Sequence, residues 1–243
     1  LDFGISLEYA PGQTAAAPVP IPTVEIIYGE ETEPTGETVK GLTRFSGYYV
    51  TLKELTSDFD TVQERLEKLP AGSTVMLDVK NAQSYFYYTS SLGFPAPKFD
   101  TTRLDTLIKE LKARGHYLIA RLPAFQEYDY ILADEWGRVP YGLPIKGGNG
   151  SLWLDTAYPC YWMNPASEGT LTYLMQIITE LRILGFNEVV FSEFRFPDTD
   201  KIGFEGDKTA ALNAAAATLV NACATDSFCV SFTVTDPSFK LPE

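Results

Sequence analysis

From Gly47 onward, apolar positions recur with two alternating periods. Tyr48–Leu52 reads as a strand. Val62, Leu66 and Leu69 then follow helical spacing over Phe59–Leu69, with Asp58 as N-cap and Ala71-Gly72 as the stop. Thr74–Lys80 is a second strand. Leu104, Leu107, Ile108 and Leu111 mark a helix capped by Thr101 or Thr102 and ended by Gly115. His116–Leu122 is a third strand, broken by Pro123, and a long segment runs on to about Pro165. The pattern resumes with a helix over Ser167–Leu184, a strand over Glu188–Phe196, an Ala-rich helix over Lys208–Cys223 and a fifth strand over Phe228–Thr235. Strands alternating with helices predict βα units on a parallel sheet, an α/β fold. Right-handed crossovers then gather every strand's C-terminal end on one face. The expected architecture is a (β/α) TIM-type barrel over residues 46–243. A full barrel takes eight strands in about 250 residues. Five are visible, so the barrel is incomplete or the sheet is open.

Residues 1–45 depart from this pattern. Pro11, Pro18, Pro20, Pro22 and Pro34 interrupt them, and Glu25, Glu30, Glu31, Glu33 and Glu37 make them acidic. That composition resists a packed core and predicts an arm or linker, with Val24–Tyr28 as one short strand. The net charge of −13 leaves no basic excess for nucleic acid. No apolar run reaches the length of a membrane span. The chain starts at Leu1 and not Met, which suggests a removed upstream segment and an extracytoplasmic place, secreted or anchored at the cell surface.

The three cysteines and one histidine narrow the chemistry. With no Cys-x-x-Cys and only His116, a structural zinc site is not expected, and no other metal or cofactor is predicted. His116 starts a strand, the wrong end for a Ser-His-Asp triad. Cys223 and Cys229 either pair or stay buried thiols, and Cys160 has no evident partner.

The candidate site lies at the strand ends. Asp78 and Lys80 share one face of the second strand by its period of two, either as a supporting ion pair or as a catalytic carboxylate with its tuning cation. Arg121, on the face of Tyr117 and Ile119, reaches toward the same place and bridges Asp78 or Glu193. The run Asn187–Pro197 ends in Glu193 and Arg195, where α/β enzymes keep their chemistry. Ser192 and Glu193 alternate, so only one of them faces inward unless a bulge intervenes. The long segment carries Trp136, Trp153, Tyr158, Tyr161 and Trp162 with Asp155. Such rings suit the C–H faces of sugars, or form a private cluster of their own. Gly147-Gly148-Asn149-Gly150 lacks the setting of a phosphate loop.

Gly47-Tyr48-Tyr49-Val50-Thr51, Val75–Lys80, Tyr117–Arg121, Trp153-Leu154-Asp155, Gly185–Phe191 and Arg195-Phe196-Pro197, in this order and spacing, give the chain a resemblance. From Gly47 to about Pro237 it resembles a bacterial glycosyl hydrolase-type domain of unknown function, related to the α-amylase-like barrels. The resemblance implies a TIM-type barrel and a carbohydrate ligand. Two positions depart from the family pattern: Ser192 stands where the family has an aspartate, and Asn81 where it usually has an acidic residue. Glycoside hydrolysis generally uses two carboxyl groups. Asp78 as nucleophile or stabiliser and Glu193 as general acid are the expected pair, with Lys80, Arg121 and Arg195 binding hydroxyls or tuning the acids. Trp153 and Asp155 are expected on the sugar platform. The competing expectation is a catalytically degenerate carbohydrate-binding or scaffold barrel; a third is a cell-surface interaction module presented on the acidic arm.

Overall fold

The computed structural model describes residues 47–128, 145–157 and 159–233. The expected arm at 1–45, Trp136, Tyr158, Val234 and Thr235 lie outside the described residues. The elements are β1 (Gly47–Val50), α1 (Leu52–Ser57), α2 (Phe59–Glu67), β2 (Thr74–Asp78), β3 (Tyr85–Phe86), β4 (Phe94–Pro95), α3 (Thr101–Ala113), β5 (Tyr117–Pro123), β6 (Gln126–Glu127), β7 (Leu154–Asp155), β8 (Cys160–Trp162), α4 (Glu168–Leu184), β9 (Glu188–Ser192), α5 (Lys208–Cys223) and β10 (Cys229–Phe232).

Local chemistry sets several boundaries. β1 stops at Val50 because Thr51 caps α1: Glu54 N donates to the Thr51 hydroxyl at 3.3 Å, and Thr51 N donates to the Glu54 carboxylate at 2.9 Å. Asp100, and not a threonine, caps α3, accepting from Thr102 N at 3.0 Å. β9 ends at Ser192, short of the expected Phe196, because Glu193 takes a left-handed φ of +52° and leaves the ladder. Gly47 is required where β1 meets β2, since a Cβ there would sit 2.6 Å from the Thr74 carbonyl oxygen.

One five-stranded sheet, in the order β1-β2-β5-β9-β10, is parallel throughout. It does not close into a barrel among the described residues. A small antiparallel sheet, β6-β8-β7, forms beyond the C-terminal end of β5. One face of the parallel sheet, including Val75, Leu77, Leu118, Leu122, Val189, Phe191, Val230 and Phe232, joins α2, α3, α4 and α5 in the main core. The other face carries a separate apolar strip of Met76, Ile119 and Val190, flanked by Tyr49 and Tyr117. By the period of two, Asp78, Arg121, Glu188 and Ser231 continue this second face.

Glu188 sits low on that face, fully buried. It accepts from Tyr117 Oη at 2.9 Å and from Ser231 Oγ at 2.6 Å, with no cation among these partners. Burial raises its carboxyl above the ordinary value of 4.5, and the two hydroxyls only partly offset this. The folded state therefore holds this proton more tightly than the unfolded chain does. Its stability contribution is complete below about 4.5 and is lost as pH rises through the raised value. Glu188→Gln removes that dependence. Urea unfolding at pH 4 and pH 8 should show the variant gaining on the wild type at the higher pH, by about 1.4 kcal/mol for each unit of the shift. An unchanged difference at the two pH values refutes this account of Glu188.

Candidate active site

Asp78 closes β2 beside Arg121 of β5, its register partner. Arg121 Nη1 donates to Asp78 Oδ1 at 2.9 Å. Tyr49 Oη lies 2.9 and 3.0 Å from the two carboxylate oxygens, and Leu52 N donates to Oδ2 at 3.3 Å. Arg121 Nη1 also donates to Tyr49 Oη at 3.0 Å. These donors hold the carboxylate in one orientation. Of the two partners expected for Arg121, the structure pairs it with Asp78. The contribution of Tyr49 was missed: its motif was visible, but its contact depends on β1 lying next to β2.

Lys80 does not accompany Asp78. Beyond Asp78 the chain leaves the parallel ladder: Tyr87 N donates to Val79 O at 2.9 Å, and Lys80 bridges antiparallel to Phe86. The period of two lapses there. Lys80 instead meets Glu127 of β6, with Nζ and Oε1 2.5 Å apart and side chains 0% and 1% exposed. Glu127 also accepts from Tyr173 Oη at 3.0 Å and from the Ser84 hydroxyl, which itself accepts from Tyr128 N at 2.8 Å. This buried network ties the loops after β2 and β5 to α4. Glu127 lies in the long segment, where no periodicity marks it.

A third group forms around Glu193. Its left-handed backbone turns the chain at the end of β9, and Arg195 Nε and Nη2 both reach Glu193 Oε2 at 2.8 Å. Both side chains remain about one-third exposed. The Arg195 guanidinium lies 4.9 Å from the centre of the Trp162 ring, and Trp162 Nε1 donates to Asp155 Oδ2 at 3.1 Å. Glu193, Arg195 and Asp155 thus meet through a buried tryptophan. Trp153, expected as a sugar platform, is half-buried against the main core. Half-buried Tyr161 stacks with Tyr128, ring centres 5.8 Å apart.

Asp78 and Glu193 therefore belong to separate clusters, each with its own arginine. β5 lies between their strands, and Asp78 is level with Val190 of β9 while Glu193 lies three residues further on, so the two are not neighbours across the sheet. Ser192, where an aspartate was expected, is buried at the end of β9. Burial pushes the Cys160 thiol up to about 12, which keeps it protonated and unsuited to attack. Cys223 and Cys229 are both free thiols. Among the described residues, no group of three or more His, Cys, Asp or Glu could hold a metal ion. No helix among them is long and apolar enough to cross a membrane.

The fold is similar to that of a hypothetical protein from Ruminiclostridium thermocellum ATCC 27405, at 21% identity and a TM-score of 0.60, covering 76% of this chain and 96% of that one. It is also similar to an α-galactosidase from Thermus thermophilus solved with p-nitrophenyl α-D-galactopyranoside, at 14% identity and a TM-score of 0.52. That match covers 79% of this chain and 40% of the enzyme. At these identities the likeness is one of fold. No curated protein matches the chain. Residues 47–226 match a family model, and the chain belongs to the family described as "Putative glycosyl hydrolase domain", a class whose description supports a carbohydrate-active role.

Proposed function

We propose that the domain is a barrel-type glycoside hydrolase unit, acting on an oligosaccharide or polysaccharide at the C-terminal ends of β2, β5 and β9. The observation that carries this reading is the turn at Glu193, which holds a carboxylate about one-third exposed at the strand-end face of a glycosyl hydrolase family member. Glu193 is the general acid. Arg195 holds its carboxylate in the free protein; when the glycan displaces the guanidinium, Glu193 takes up a proton from solvent and gives it to the glycosidic oxygen. Asp78 is the stabilising carboxylate. Its engagement by Arg121 and Leu52 N suits fixed negative charge opposite an oxocarbenium-like centre better than nucleophilic attack. The domain acts outside the cytoplasm.

Glycan-panel hydrolysis tests this. Glu193→Gln should lower turnover about 10²-fold or more while binding persists, the usual scale for losing a general acid. Turnover unchanged by Glu193→Gln overturns the assignment. One observation favours a second reading, a non-catalytic glycan-binding barrel: Ser192 stands in place of the family aspartate. Binding without turnover, unaltered in Glu193→Gln, selects that reading.

A further inference from the structure

We infer that the Tyr49 hydroxyl occupies, in the free protein, the position of a glycan hydroxyl clasped between Asp78 and Arg121. This rests on the strand-end face being a glycan site. A phenol hydroxyl has one proton to donate and lone pairs to accept, as a sugar hydroxyl does. Tyr49 Oη uses both capacities. It accepts from Arg121 Nη1 at 3.0 Å and donates to the Asp78 carboxylate, whose oxygens lie 2.9 and 3.0 Å away. Arg121 and Asp78 are joined directly at 2.9 Å, so one hydroxyl is held in a closed ring of hydrogen bonds. Carboxylate and guanidinium together present a complementary acceptor and donor to any hydroxyl in that place.

On the same face Met76, Ile119 and Val190 form a buried apolar strip, and Tyr49 packs against it. The clasp is not sealed, because the Arg121 side chain is 31% exposed and that of Asp78 13%. Tyr49 lies on β1, an end strand of the sheet order among the described residues, and is half-buried. A ligand must then displace the phenol, and its apparent affinity is lowered by the fraction of molecules in which Tyr49 fills the clasp.

The test follows the Arg121 Nε–H NMR signal as methyl α-D-galactopyranoside, methyl α-D-glucopyranoside or methyl β-D-xylopyranoside is added to wild type and to Tyr49→Phe. Calorimetry gives each Kd in parallel, and thermal unfolding checks that the variant folds. The expected result is a shift of the Arg121 signal by at least one glycoside, with a Kd about 3- to 10-fold lower in Tyr49→Phe, because the competing hydroxyl is gone. A Kd unchanged or higher in Tyr49→Phe overturns the inference and leaves Tyr49 as a support for Asp78. Glycoside binding or turnover that leaves the Arg121 signal still overturns it too, while the glycan reading stands. If Tyr49→Phe does not fold, the wild-type Arg121 signal decides alone: a still signal overturns the inference, and a shift upholds it. If no glycoside binds either protein, the inference falls together with the reading beneath it.

Discussion

Replacing Lys80 by methionine should lower stability by about 3–5 kcal/mol, the range for breaking a buried ion pair by removing one partner. The lysine side chain is fully buried and its amine meets Glu127 at 2.5 Å. Methionine keeps much of the stem volume, so lost packing contributes little. The cost comes from Glu127, which keeps Tyr173 and Ser84 as donors but loses its cation in a site closed to water. Glu127→Gln should cost a similar amount for the mirrored reason: a buried ammonium loses its counter-charge. The double variant Lys80→Met/Glu127→Gln removes both charges, and replacing both members of a buried pair with uncharged groups is often close to neutral. It should therefore be more stable than either single variant. Urea unfolding of the four proteins gives the coupling directly. A loss under about 1 kcal/mol for Lys80→Met, or a double variant as unstable as the sum of the singles, rules out this account of the pair.

The same pair shows where sequence patterning stops. Within the ladder, the period of two is reliable: it aims Asp78 and Arg121 at the same strand-end place, and the structure joins them. Two residues past Asp78 it fails, because Lys80 has already left the ladder for its bridge to Phe86. A strand end is where a charged side chain is freest to choose its partner, and the partner here comes from a distant loop. Glu193 shows a related limit. Its left-handed φ decides where the carboxylate goes, yet nothing in a glutamate signals that conformation as a glycine or asparagine would. The strands of β6, β7 and β8 are two or three residues long, too short for any periodicity to register. Composition thus reveals that the long segment is aromatic, but not which rings are buried. The helices α2 to α5 and the five main strands were legible because each repeats its pattern against one continuous core, whereas the six residues of α1 are too few to show one.

Trp162 carries the second large effect, and it separates support from contact. The ring is fully buried at the end of β8, beneath the Arg195 guanidinium and bonded through its N–H to Asp155. Trp162→Ala should cost about 3–5 kcal/mol, since truncating a buried tryptophan leaves a cavity that the short strands β6, β7 and β8 can only partly close. For a domain of this size that lowers Tm by roughly 10 °C. Trp162→Phe keeps an aromatic face under Arg195 and loses chiefly the indole N–H. It should cost about 1 kcal/mol for the bond to Asp155, together with the smaller ring volume. If Trp162 were a sugar platform in its own right, Trp162→Phe would weaken glycan binding while leaving stability near the wild type. If it supports Glu193 and Arg195 from below, as its burial requires, Trp162→Phe keeps binding, and Trp162→Ala loses fold and binding together. Thermal unfolding and glycan titration on the two variants therefore separate the roles. A Trp162→Ala protein with wild-type Tm would show that the ring is not part of the core at all.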